Sequence, residues 1–228
     1  MVARPLLEII ALTPEDAIAA EAGGADRLEV VTDMEADGLT PSRDLVATIR
    51  SATSLPLRCM LRPNAGFSAS VAEIEHLCEA AEQLESAGAD GFVFGFLDEA
   101  GAFDEVSTRQ LATVVNRPWT FHRAIDHSVH SESLFAQLLD LPGLDTVLTA
   151  GSPQGLDQGV NVLAGRVPTD LILAGGGLKV RHIPVLFAAG IRQFHLGSAV
   201  RQSWASPVKA EAVGQWRDLL DALPARGN

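Results

Sequence analysis

The chain is poor in three things that would otherwise direct its chemistry. It has only two cysteines, Cys59 and Cys78, which fall in different segments without Cys-x-x-Cys spacing. This argues against a disulfide framework and a cysteine-built metal site, leaving buried thiols as the default. Lysine is confined to Lys179 and Lys209, neither inside an expected strand, so a Schiff-base mechanism lacks its nucleophile. No apolar run approaches membrane-spanning length, and the opening Met1-Val2-Ala3-Arg4-Pro5 lacks a signal-peptide layout, so the expectation is a cytoplasmic protein with no membrane partner. Positive charge is also short: 17 basic against 29 acidic residues leave a net charge of −12. Nucleic acid bound through its phosphates would need a basic face, whereas a small anion needs only a local site.

What is present is an alternation. Leu6 to Ala11 reads as a strand, and Thr13-Pro14-Glu15-Asp16 starts a helix, with Thr at the N-cap and Pro at the first position. Further strands are expected at Ala25–Val31, Leu57–Arg62, Phe92–Phe96, from Trp119, and at Asp145–Thr149, Asp170–Ala174 and Gln193–Gly197, with helical stretches between them. The longest helix, about Ser70 to Ala87, carries an apolar stripe of Ile74, Leu77, Cys78, Ala81 and Leu84, and a helix near Pro207 to Leu223 closes the chain. Ala22-Gly23-Gly24-Ala25-Asp26 and Ala87-Gly88-Ala89-Asp90 both end a helix just before a strand, which marks a repeated unit. Eight short apolar strands alternating with helices, without a linker, predict one α/β domain over residues 1–228: a parallel (β/α)8 barrel of the TIM type. An open doubly wound sheet is the second choice, but no Gly-x-Gly-x-x-Gly follows the first strand.

In such a barrel the functional face is the carboxyl end of the strands. Glu8, Glu29, Arg62, His122, Arg123, Asp126 and His195 all fall in or just beyond strands. Trp119-Thr120-Phe121-His122-Arg123-Ala124-Ile125-Asp126 alone places an imidazole, a guanidinium and a carboxylate within five residues. Glu8 and Glu29 interrupt aliphatic runs, and a carboxylate so placed must find partners inside the barrel. One reading is a shared cavity for acid-base work, metal binding or anion binding. The other is a closed ion-pair network of Glu8 and Glu29 with Arg62 and Arg123. Gly175-Gly176-Gly177 and Gly197-Ser198 follow strands seven and eight, where many barrels hold phosphate on backbone N–H groups, and they predict an anion site. Gly151-Ser152-Pro153 could widen that rim, whereas His76, His127, His130 and His182 read as helix-surface or loop residues.

These motifs resemble, in order along the chain, those of the CutC family. They include Gly-Gly-Ala-Asp-Arg-Leu-Glu at 23–29, Gly-Leu-Thr-Pro-Ser at 38–42, Thr-Phe-His-Arg-Ala-Ile-Asp at 120–126 and Phe-His-Leu-Gly-Ser-Ala at 194–199. The resemblance implies a single TIM barrel, a cytoplasmic location, homo-oligomers with a dimer expected, and a part in copper homeostasis with copper as the implied metal. This chain departs from the family pattern where members carry strand cysteines suggested to hold copper: Ile10 and Val31 stand there. The family's Arg-Pro-Arg-x-Gly-Asp-Phe loop is reduced to Arg62-Pro63-Asn64-Ala65-Gly66-Phe67, and its Thr-Ser-Gly-Gly is Thr149-Ala150-Gly151-Ser152. Cuprous ion favours thiolate or thioether ligands, so a copper module ranks last on chemistry. The leading expectation is a pocket for a small anionic molecule. The alternative is an enzyme with His122 and His195 as acid and base, Glu8 or Glu29 assisting, and Arg62 with Arg123 neutralising a small anionic or phosphorylated substrate.

Overall fold

A computed structural model describes residues 4–223. Its centre is a closed ring of parallel strands in sequential order: β1 Leu6–Ala11, β2 Arg27–Val30, β3 Leu57–Met60, β4 Gly91–Phe94, β5 Trp119–Phe121, β6 Leu144–Thr149, β7 Ile172–Ala174 and β8 Gln193–Leu196. β1 pairs with both β2 and β8, which closes the ring and confirms the barrel over the open sheet. The helices are α1 Pro14–Ala22, α2 Arg43–Ala52, α3 Val71–Ser86, α4 Glu105–Val114, α5 Ala124–His127, α6 Ser131–Leu138, α7 Leu156–Gly165, α8 Ile183–Ala188 and α9 Ala210–Asp221. Among the described residues no helix is long and apolar enough to cross a membrane.

Local chemistry accounts for the element ends. The Thr13 hydroxyl accepts from Asp16 N ahead of Pro14, and Ser70 with Glu73 forms a reciprocal capping box that starts α3. In α3 the stripe residues Ile74, Leu77, Ala81 and Leu84 are buried, while Cys78 sits at the edge of the stripe and is only partly covered. The repeated helix-to-strand unit has a physical role. Asp26 and Asp90 each accept, through Oδ2, a backbone N–H at the start of the preceding strand, from Leu7 at 2.8 Å and from Leu57 at 2.9 Å. The glycine before each aspartate, Gly24 or Gly88, holds a positive φ as the helix turns back toward the barrel.

Three expectations are corrected. β3 and β4 are shorter at their carboxyl ends than predicted, because Leu61–Arg62 and Gly95–Phe96 already turn into the rim loops. β7 starts only at Ile172, since Thr169–Leu171 forms a 3-10 turn. β5 ends at Phe121, so His122 and Arg123, expected to end the strand, lie just beyond it and lead into α5 at Ala124.

Side-chain alternation sorts the barrel into two compartments. Leu7, Ile9, Ala11, Leu28, Val30, Phe92, Phe94, Trp119 and Phe121 point outward into the main core under the helices. Ile10, Val31, Met60 and Val93 point inward and make a small separate cluster, with Leu12 and Met34 packed on it. Polar residues also fill the interior: Arg58, inward from β3, donates to Thr120 Oγ1 at 3.1 Å and to both Asp145 oxygens at 2.7 and 2.6 Å.

Gly88 provides a stability test. It has φ +110°, and an added Cβ would lie 2.5 Å from Arg50 Cγ. Gly88→Ala should lower stability by about 1–3 kcal/mol in chemical denaturation. Gly165→Ala, where nothing lies within 4 Å of the added carbon, should cost less than about 0.5 kcal/mol. Equal effects at the two positions would contradict this account.

Candidate functional site

The site begins with the register of three adjacent strands. Glu8 on β1 is level with Arg27 on β2 and with His195 on β8. All three side chains are buried, and so is Glu29, two residues beyond Arg27 on the same face of β2. Glu8 Oε2 accepts from Arg27 Nε at 2.5 Å, and Glu8 Oε1 lies 2.8 Å from His195 Nδ1. His195 Nε2 then faces Glu29 Oε2 at 3.7 Å. Glu29 Oε1 has no hydrogen-bond partner among the described residues, nor has His122 Nε2.

Environment separates the two carboxylates. Burial acts to raise both. At Glu8 it is outweighed by the Arg27 guanidinium and by His195, which hold the carboxyl at about 2. At Glu29 burial dominates, and despite the pull of His195 the carboxyl is lifted to about 7. Burial would lower His195, but Glu29 and Glu8 raise it. His122 has no carboxylate beside it, and burial with the nearby Arg62 charge pushes it down to about 3. Its Nδ1 accepts from Ala124 N at 3.3 Å, so the neutral ring carries its proton on Nε2.

Above this group lies a cleft with two connected lobes. The inner one, about 70 Å³, is lined by Glu29, Met34, Met60, Phe67, Arg62, His122, His195 and their neighbours. The outer one, about 350 Å³, is lined by Gly155, Gly176, Gly177, Leu178, Gly197, Ser198, Ala199 and Trp204 among others. Ile10, Met34, Asp37, Arg123 and His195 line both. Among the described residues no backbone carbonyl accepts from the N–H groups of Gly176, Gly177 or Gly197.

The sequence-predicted residues therefore separate into groups. Glu29, His122, Arg123 and His195 face the cleft, together with Gly176, Gly177, Gly197 and Ser198. Glu8 lies behind His195 and does not line either lobe. Arg62 borders the inner lobe, but it donates to the carbonyls of Ala36, Asp37 and Gly38 from Nη1, of Gly66 from Nε and of Ala65 from Nη2. It is thus a clamp between two rim loops, with its guanidinium engaged by main-chain carbonyls. Asp126 is likewise structural: it accepts from Thr149 Oγ1, Ala150 N, Gly151 N and Arg123 Nε at 2.6 to 3.0 Å and lines neither lobe. Gly175 does not line the cleft either; a Cβ there would lie 2.5 Å from Leu148 Cδ1, so the residue is needed for close packing. Of Gly151-Ser152-Pro153 only Pro153 lines the outer lobe, and the Ser152 and Pro153 carbonyls both accept from Arg123 Nη2.

The predicted network of Glu8 and Glu29 with Arg62 and Arg123 does not form. The missed residue is Arg27, although its period-two spacing from Glu29 in Arg-Leu-Glu was a readable signal for a shared strand face. His182, expected at the surface, is buried, with Nε2 2.8 Å from Asp157 Oδ1.

Comparison with known proteins agrees with the geometry. The CutC family model matches residues 5–200. The chain belongs to the CutC family. A CutC family protein of Enterobacter sp. (strain 638) is 30% identical over 214 residues, covering 92% of this chain and 85% of that one. The human copper homeostasis protein cutC homolog is 32% identical over 200 residues, covering 83% of this chain and 72% of its own length. The crystal structure of the CutC protein from Streptococcus agalactiae superposes with a TM-score of 0.77 at 21% identity, over 85% of this chain and 98% of that one, which supports the shared fold.

The residues of this CutC chain do not assemble a thiolate copper site. Cys59 is buried in the outer core and Cys78 is on α3, and neither lines a lobe. Met34 and Met60 line the inner lobe, but His122 Nδ1 is taken up by Ala124 N, which leaves the protonated Nε2 unable to act as a ligand, and His195 is hydrogen-bonded to Glu8. Ligand-type atoms of Glu8, Glu29 and His195 lie within 4.8 Å of one another, a hard oxygen and nitrogen set already joined by the Glu8–His195 contact and faced by Arg27.

The Glu29 shift has a measurable consequence. Its folded value lies above the ordinary carboxyl range, so the stability from the buried neutral form is complete at low pH and lost as pH rises through about 7. The melting temperature should fall between about pH 4.5 and 7 and level off above that, and Glu29→Gln should flatten the slope. Parallel slopes for the two proteins would show that Glu29 is not the group responsible.

Proposed function

We propose that the cleft at the carboxyl end of this CutC barrel holds a small anionic ligand, and that any part the chain takes in copper homeostasis, the role named for its human relative, proceeds through that ligand. The observation that carries this reading is Arg123. Its Nε is held by Asp126 and its Nη2 by two carbonyls, and the guanidinium borders both lobes beside Gly176. An added Cβ on Gly176 would come within 2.8 Å of Arg123 Nε, so the glycine keeps the guanidinium and the loop backbone in contact. A fixed guanidinium beside unpaired N–H groups suits a phosphate or carboxylate. Asp37 on the same cleft adds an acceptor for hydroxyl groups, which favours an anionic molecule bearing hydroxyls over a bare ion.

A second reading, acid-base catalysis on that ligand, is favoured by the unpartnered Glu29 Oε1 and His122 Nε2 in the inner lobe. Buried polar atoms without partners are costly unless a ligand completes them.

Two measurements test the proposal. Isothermal titration with inorganic phosphate should give saturable binding, weakened about 10- to 100-fold by Arg123→Gln, the loss expected for a charge-assisted hydrogen bond. An unchanged affinity in a folded Arg123→Gln protein would place the anion elsewhere. Titration with cuprous ion against a competing chelator should leave the metal with the chelator; retention by the protein would favour direct copper binding instead.

A further inference from the structure

The two lobes differ in what they offer a ligand, and the difference defines a reaction. Two residues that line the inner lobe each keep a buried polar atom without a partner, and the atoms are of opposite kinds: a carboxylate oxygen, Glu29 Oε1, and an imidazole N–H, His122 Nε2. Both residues are more than nine-tenths buried. Part of the wall around them is apolar: Ile10, Val31, Met60 and Phe67 line the same space. A neutral N–H donor in such a wall is suited to the oxygen of a carbonyl, and strengthens its contact as that oxygen gains charge. A carboxylate in the wall of the same small space is suited to take a proton from carbon. A carboxylate base paired with a neutral imidazole is the arrangement by which proton transfer next to a carbonyl is catalysed.

We propose that this CutC barrel catalyses proton transfer at the carbon next to a carbonyl in a small phosphorylated hydroxycarbonyl compound, with Glu29 as base and His122 as the carbonyl's hydrogen-bond donor. The inference rests on the anion-binding reading of the outer lobe, because the phosphate is placed against Arg123 and the Gly176–Gly177 loop. It goes further in naming the reaction and the class of substrate.

The step balances without a co-reactant. Glu29 takes the proton as the C–H bond breaks, its electron pair becomes the carbon–carbon double bond of an enediolate, and the carbonyl π pair moves to oxygen, where His122 Nε2–H stabilises it. The carboxylic acid so formed returns the proton to the same carbon, which is exchange, or to its neighbour. Return to the neighbour, together with a shift of the hydroxyl proton from one oxygen to the other, is aldose–ketose isomerisation. Glu8 is a positioning residue: its contact with His195 Nδ1 directs His195 Nε2 toward Glu29. The inner lobe of about 70 Å³ admits the few atoms that react, and the outer lobe of about 350 Å³ holds the anionic end.

The test is solvent exchange followed by proton NMR. The purified protein is incubated in deuterium oxide with dihydroxyacetone phosphate, ribulose 5-phosphate or fructose 6-phosphate. At least one probe should lose its C–H signal next to the carbonyl faster than in buffer, and inorganic phosphate should suppress the loss. Glu29→Gln, purified identically, should slow exchange at least about 100-fold, and His122→Phe about 100-fold. Circular dichroism verifies folding, and Glu29→Asp, which keeps the charge but draws it back, replaces Glu29→Gln if that variant does not fold and should also slow exchange. Absence of exchange with all three probes, or undiminished exchange in a folded Glu29 variant, overturns the proposal. If phosphate still binds in a manner dependent on Arg123, only the proton transfer fails; if phosphate does not bind, the anion reading fails with it.

Discussion

An ionised carboxylate inside a closed barrel is the constraint on which the rest of the site depends. Glu8 is buried in β1, and its charge is balanced only because β2 and β8 place Arg27 and His195 level with it. Removing one partner of such a group leaves an uncompensated buried charge, which costs about 3–5 kcal/mol. The compensation also sets the function-bearing geometry. With Glu8 neutralised by its neighbours, His195 is turned so that Nε2 approaches Glu29, and Glu29 is left with one carboxylate oxygen free of protein partners. Closure of the ring makes this possible, since residues 8 and 195 meet only where the first and last strands pair.

The rim is built by residues that look functional but act on the backbone. Arg62 ties the loop after β2 to the loop after β3 through carbonyl groups, and Asp126 ties α5 to the loop after β6 through N–H groups. Both are buried and take much of their hydrogen bonding from main-chain groups, an arrangement that fixes the loops. Arg123 is the guanidinium they leave facing the cleft, and Asp126 sets its direction.

The substitutions that separate this chain from the family pattern have a physical consequence in the same place. Ile10 and Val31 join Met60 and Val93 in the small inward-facing cluster, so positions expected to carry thiols supply an aliphatic wall instead. That wall lowers the local polarity around Glu29 and His122, and desolvation is the first cause of the displaced proton affinity of both.

Much of the architecture was legible in the chain, because strand and helix periods, caps such as Thr13 and Ser70, and the paired Gly-x-Asp stops are local signals written within a few residues. The sequence by itself also pointed to Glu8 and Glu29 being enclosed with partners, since each interrupts an apolar strand. Which of the charged residues would face a ligand was decided only by tertiary structure. Pairing between strands depends on register across the barrel, and Arg27 rather than Arg62 or Arg123 proved level with Glu8. Whether a guanidinium is free or held depends on the carbonyls that loop geometry brings within reach, and no spacing in the chain encodes that for Arg62.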